Sequence, residues 1–165
     1  MTPQERLALI ERYARGPETL EAALRRLPAE ALTWRPAPGK WSAHEVVCHC
    51  ADSETIASTR IRFLVGEEPA TILGYDENRW ARRFDYHALP LDLALRQIAQ
   101  VRAWTTDLIR RFEERDWACR GTHTESGAYG AETWLAIYAE HLEIHARQIE
   151  RNRKAWDERG VASDT

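Results

Sequence analysis

The chain has 165 residues, 44% of them hydrophobic and 30% charged, with a net charge of −3. That is the make-up of one globular domain rather than a disordered chain. No apolar run approaches the ~20 residues of a membrane helix, and there is no basic excess to suit DNA or RNA. The three cysteines, Cys48, Cys50 and Cys119, are too few and too odd in number for a disulfide framework. With no apolar segment at Met1 to Arg6, the reading expects no signal peptide and a cytoplasmic protein.

In chain order, residues 3–27 place Leu7, Ile10, Ala14, Leu20, Ala23, Leu24 and Leu27 at helical spacing. Gly16-Pro17 falls inside that stretch, and a proline there removes a backbone donor, so a kink or split is expected. A proline-rich loop, Trp34 to Lys40, follows. Ser42 and Glu45 then form a capping box, with Trp41 and Val46 as a hydrophobic staple. The second helix should run from Ser42 to about Val65 and stop at Gly66, with Val46, Cys50, Ala57, Ile61 and Leu64 inward. Residues 66–89 form a connection long enough to be functional or to carry a helix of its own. A third helix is expected from Pro90 to Glu114, facing the core with Leu95, Ile98, Thr105, Leu108, Ile109 and Phe112. A polar loop from Arg120 to Gly130 precedes a fourth helix at 131–156, and 158–165 read as a polar tail. Without a strand pattern, the expectation is an all-α domain over 1–157, a four-helix bundle with up-down-up-down connectivity as the default and a long loop between helices two and three.

The chemistry sits in the fourth helix. His141 and His145 are one turn apart, so both imidazoles leave the same face. That face also carries Trp134, Ile137, Tyr138, Ile144, Gln148 and Ile149, which makes it the inward stripe. Two imidazoles in an apolar stripe are either hydrogen-bonded core residues or ligands of a divalent cation. His49, at the border of the second helix's apolar face, is the best third candidate. Cys48 and Cys50 project to opposite sides and cannot share an ion. Asp52, three residues beyond His49, is either a proton carrier or a solvated or ion-paired carboxylate. Glu54, with several arginines nearby, reads as a salt-bridge residue. No role can be given to His44, His87 or His123.

The run from Trp34 to Glu54, with His49 in it, and the run from Glu140 to Ile149, with His141 and His145, together resemble the two signatures of the DinB-like superfamily, also called YfiT-like metal-dependent hydrolases. Gly74-Tyr-Asp and the stretch from Trp117 to Gly127 follow the same rhythm, so the resemblance spans nearly the whole chain. One departure is Cys50, where leucine is usual. The resemblance implies an antiparallel-type four-helix bundle, a homodimer, and a zinc or nickel ion on His49, His141 and His145. Some such proteins transfer low-molecular-weight thiols such as bacillithiol or mycothiol, or isomerise maleylpyruvate with a thiol. Three ligands leave a coordination position open. It would serve hydrolysis of a small molecule through activated water, or S-transfer through a bound thiol. The alternative is a non-catalytic metal- or small-ligand-binding module.

Overall fold

A computed structural model describes residues 1–162. Four long helices carry the architecture: α1 (Pro3–Leu24), α2 (Ala43–Gly66), α4 (Leu91–Ile109) and α6 (Ala131–Ala162). Short elements fill the connections: β1 (Ala70–Ile72), α3 (Glu77–Arg83), α5 (Glu114–Trp117), β2 (Arg120–His123) and β3 (Gly127–Gly130). None of the described helices is long and apolar enough to cross a membrane. Of the tail expected at 158–165, residues to Ala162 continue α6, and 163–165 lie outside the described residues.

The capping box expected at Ser42 is present in both halves. Ser42 Oγ accepts from Glu45 N at 3.2 Å, and Glu45 Oε2 accepts from Ser42 N at 2.9 Å. His87 adds a third contact, Nε2 to Ser42 Oγ at 2.8 Å. Trp41 packs on the cluster that contains Val46, as the staple requires. α2 is buried along most of its first three turns, His49 included.

The four-helix bundle has a different connectivity from the up-down-up-down default. Contacts of α1 with α6 run in parallel register, Arg6 to Glu132 and Arg12 to Glu143. Those of α2 with α6 run antiparallel: Asn152 Nδ2 donates to Trp41 O at 2.9 Å, and Trp134 Nε1 to Ala57 O at 2.9 Å. α2 and α4 are parallel, with Ala94 and Ile98 packed in the cluster of Val46 and Val47, and Thr105 bonded to Ser58. The order is therefore up-down-down-up. The cause lies in residues 67–90, which travel back along α2 and let α4 start at the same end. A 24-residue helix is about 36 Å long, and only a connection of this length can retrace it.

A small sheet also forms where loops were expected. Its order is β1-β2-β3, with β1 parallel to β2 and β2 antiparallel to β3. Strands of three or four residues are too short to show a two-residue period, and the β1–β2 pairing joins segments some fifty residues apart. The third helix is shorter than expected: α4 ends at Ile109, and Pro90 caps it rather than entering its first turn. On α6, Ile137 and Ile144 turn out to face solvent, at 45% and 42% exposure, while Leu135, Leu142 and Ala146 are buried. α6 packs against both α1 and α2, so its buried arc is wider than, and rotated from, the stripe read in the sequence.

α1 passes through Pro17 without a break. The ring leaves Tyr13 O without its helical donor, and Arg102 Nη1 on α4 takes that place at 2.6 Å. A Cβ on Gly16 would lie 2.9 Å from the same Nη1 and 3.0 Å from Leu142 Cδ1. Gly16→Ala should therefore lower the urea midpoint, although alanine is intrinsically favoured in a helix by about 1 kcal/mol. Gly66, at the end of α2 with open space around it, is the control: Gly66→Ala should leave the midpoint unchanged or raise it.

Candidate metal centre

His49 on α2 and His141 and His145 on α6 come together at mid-bundle, the one cluster among the described residues able to hold a metal ion. Their ligating nitrogens all lie within 4.8 Å of one another. His141 and His145 stack edge to face with centroids 4.6 Å apart, and His49 lies 4.8 Å from His145 and 5.8 Å from His141.

Hydrogen bonds on the far nitrogens fix the tautomers. His141 Nδ1 lies 2.8 Å from Glu54 Oε1, and His145 Nδ1 lies 3.0 Å from Gln148 Oε1. Both acceptors are oxygens, so each Nδ1 carries the proton and each Nε2 presents a lone pair. Those two Nε2 atoms face each other at 3.2 Å. Facing lone pairs repel unless a cation lies between them. The spacing also suits one: two nitrogens at about 2.0–2.1 Å from a tetrahedral zinc lie about 3.3 Å apart. His49 Nδ1 is buried with no hydrogen-bond partner, another polar atom that lacks a partner within the protein. The residues present therefore fit a divalent cation.

Burial keeps the His49 and His145 rings neutral, as metal ligands must be. His49 is pushed down to about 2 by burial, with the neighbouring His145 and His141 adding to it. His145 is pushed down to about 4, again by burial first and His141 second.

Glu54 is the pivot of the surrounding network. Its side chain is 0% exposed. Oε2 accepts from Arg102 Nε at 2.7 Å, and Oε1 from Arg102 Nη2 at 2.6 Å and from His141 Nδ1. Burial alone would raise its pKa, but Arg102 and His141 hold it below the usual carboxylate value. The salt-bridge reading of Glu54 is thus right in kind, but the partner is Arg102, from another helix, and His141 shares the carboxylate. Sequence reasoning missed Arg102. Its one signal was an arginine in register with Ile98 and Thr105 on an inward stripe.

Other neighbours frame the centre. Trp41 stacks on His49 at 4.8 Å. Ser53 Oγ lies 3.4 Å from His141 Nε2. The Tyr75 hydroxyl is buried without a hydrogen-bond partner, and burial raises its pKa. Glu77 opens α3 and stays exposed, yet burial of its carboxyl still outweighs the attraction of His141 and Arg60 and raises its pKa. Asp52 stands apart from the three histidines, with Oδ2 accepting from Tyr86 Oη at 2.6 Å. It ties the long connection to α2.

The remaining histidines are fasteners of the same kind. His44 Nε2 donates to Leu89 O at 2.8 Å. His87 meets Ser42. His123 Nδ1 accepts from Glu125 N at 3.2 Å inside the hairpin turn. Cys50 is a fully buried small hydrophobe, and Cys48 bonds Tyr86 O.

A four-helix bundle with three convergent imidazoles and fixed tautomers defines a class of helical protein built to hold a divalent cation. Residues 12–149 match the family model described as the DinB superfamily, and the chain belongs to that family. It is 31% identical over 142 residues to a protein of Oceanobacillus iheyensis named "Putative metal-dependent hydrolase", covering 85% of this chain and 82% of that one. A Bacillus licheniformis protein of the same name is 30% identical, with 84% and 80% covered. The fold matches YfiT from Bacillus subtilis, described as "a probable metal-dependent hydrolase with an unusual four-helix bundle topology". The TM-score is 0.88 at 21% identity, with 95% of this chain and 90% of that chain covered.

Two outcomes follow for this network. Arg102→Met leaves the Glu54 carboxylate buried and unpaired and should cost about 3–5 kcal/mol of stability. Pairing it with Glu54→Leu should recover most of that loss, yet zinc affinity should stay about 10–100-fold down because His141 has lost its anchor. Urea melts and a competitive chelator titration separate the two effects. The histidines add a pH dependence to the metal-free protein. Unfolded imidazoles take a proton near pH 6.5, whereas folded His145 does so only near 4 and His49 lower still. The unfolded state binds more protons throughout that window, so stability should fall as pH drops from about 6.5 to 4. Each histidine contributes up to about 1.4 kcal/mol per pH unit, read as the urea midpoint at pH 7 against pH 5.

Proposed function

We propose that the chain is a metal-dependent hydrolase of small molecules, with one divalent cation, zinc or nickel, on His49, His141 and His145. The observation that carries this reading is the pair of Nε2 lone pairs held 3.2 Å apart by Glu54 and Gln148. Three nitrogen donors suit zinc or nickel better than magnesium or calcium, which prefer oxygen. With a fourth position open, the bound cation would supply a Lewis acid that polarises a substrate carbonyl and activates water.

The protein's own groups do the rest. Glu54 keeps the proton on His141 Nδ1 and so keeps Nε2 basic. Trp41 packs over the His49 ring. Asp52 is engaged by Tyr86 and so is poorly placed to carry a proton for the centre. These aromatic and titratable neighbours favour a catalytic over a purely structural ion.

Metal analysis of protein purified without chelators or nickel resin should give about one ion per chain. His141→Ala should lose the ion and reduce hydrolysis of an ester and amide panel to background, since the two imidazoles left cannot hold the cation as firmly as three. Running thiol-transfer substrates beside the panel separates S-transfer from hydrolysis. Wild-type protein without metal, or His141→Ala with a full complement, would overturn the ligand set.

A further inference from the structure

A cleft beside the histidine centre is lined by Arg35, Lys40, Trp41, Glu45, Asn78 and Arg82. It lies between the turn at Gly39–Trp41 and one face of α3. We propose that this cleft binds an oxyanion, the carboxylate or phosphate end of the small molecule whose other end reacts at the metal centre. The proposal rests on the reading above and names the substrate class for it.

Position comes first. Trp41 is a wall common to both places: it lines the cleft and stacks 4.8 Å from His49. Glu45, at the cleft's inner end, is one helical turn before His49 on α2, so the two share a face. The cleft and the histidine centre are thus one indole ring apart.

Size comes second. The cavity is about 140 Å³. Sites that enclose a whole drug-sized ligand are about 300 Å³ or more. This cleft suits a head group of a few heavy atoms, with the rest of the molecule lying towards the histidines.

Charge selects the head group. Glu45 brings one negative charge, but Arg35 neutralises it through Nε at 2.8 Å and Nη2 at 2.5 Å. Ser42 N occupies Glu45 as well. Lys40 and Arg82 form no ion pair among the described residues, whereas Arg35, the third cation of the lining, is paired with Glu45. The lining thus keeps two uncompensated cations plus the Asn78 amide, a neutral donor. Asn78 and Arg82 are four residues apart on α3 and rise from one face. On the opposite rim, Gly39 at φ +75° turns the chain so that Lys40 and Trp41 meet them. Charged donors arranged around a small cleft are the usual means of holding a carboxylate or phosphate. The whole chain carries −3, so a general attraction for anions cannot account for binding here.

The test is an NMR titration with malonate and, separately, with inorganic phosphate, on zinc-loaded and on metal-free protein. The expected result is saturable shifts at Gly39–Trp41 and Asn78–Arg82 in both forms, with Kd raised tenfold or more in Lys40→Ala/Arg82→Ala. Lys40 and Arg82 are both exposed, so the variant should keep the wild-type Tm. Arg111→Ala/Arg115→Ala removes the same charge elsewhere and should leave Kd unchanged. The two probes distinguish a carboxylate from a phosphate head group. The proposal is overturned by equal affinity in the Lys40/Arg82 variant, by binding that appears only with zinc present, or by no binding of either anion at 10 mM. Because the metal-free arm needs no ion, failure there leaves the three-histidine reading standing, and a metal-free wild type leaves the anion result interpretable.

Discussion

One guanidinium joins the four long helices. Arg102, on α4, bonds Glu54 on α2 twice, Tyr13 O on α1 and Tyr138 O on α6, all within 2.6–2.9 Å. Its plane also lies 3.8 Å from the centroid of the Tyr13 ring. Removing an ion from water is expensive, and a buried pair is tolerable only when nearly every donor and acceptor is satisfied. Here the backbone itself is arranged to do that. Pro17 frees the Tyr13 carbonyl, and Gly16 leaves the space into which Nη1 fits. Glu54, held in this way, has one oxygen directed at His141 Nδ1. The interaction that fixes the helices relative to one another therefore also fixes the tautomer of a candidate ligand.

The up-down-down-up order has a consequence for the site. Parallel α2 and α4 demand a connection as long as the helices, and the chain uses that length. Residues 67–90 supply β1, which enters the sheet, and α3, which brings Glu77 and Trp80 over the bundle. They also supply the 3₁₀ turn at Tyr86–Ala88. His44, His87, Asp52 and Cys48 each fasten this segment to α2. Four of the chemically suggestive residues thus hold the covering segment in place over α2.

Much of this was legible in the sequence where the signal was local. The Ser42–Glu45 box, the burial of Cys50 and the shared face of His141 and His145 depend on spacings of three or four residues, and the structure bears them out. The partners of Glu54 and Asp52 were not legible, because Arg102 and Tyr86 come from remote segments and an arginine in an apolar stripe carries no mark of burial. Ile137 and Ile144 misled because hydrophobic spacing locates a stripe's centre only to within about one residue's rotation, near 100°. Connectivity was beyond periodicity altogether. Its one trace was the length of the loop after Gly66.

Why does a stable bundle keep three imidazoles at its centre in so unfavourable an arrangement? Two of them turn lone pairs on each other, and the third buries a nitrogen without a partner. Apolar residues of similar volume would remove both penalties. The arrangement is stable only because the rest of the core, above all the Arg102–Glu54 pair, overdetermines where α2 and α6 sit. A cation on these histidines would bind the folded state and not the dispersed ligands of the unfolded chain, so its binding free energy would add to folding stability by mass action. The local repulsion and the preorganisation are then the same fact. The protein holds these nitrogens at ligand spacing beforehand, so little of a cation's affinity would be lost to rearranging them.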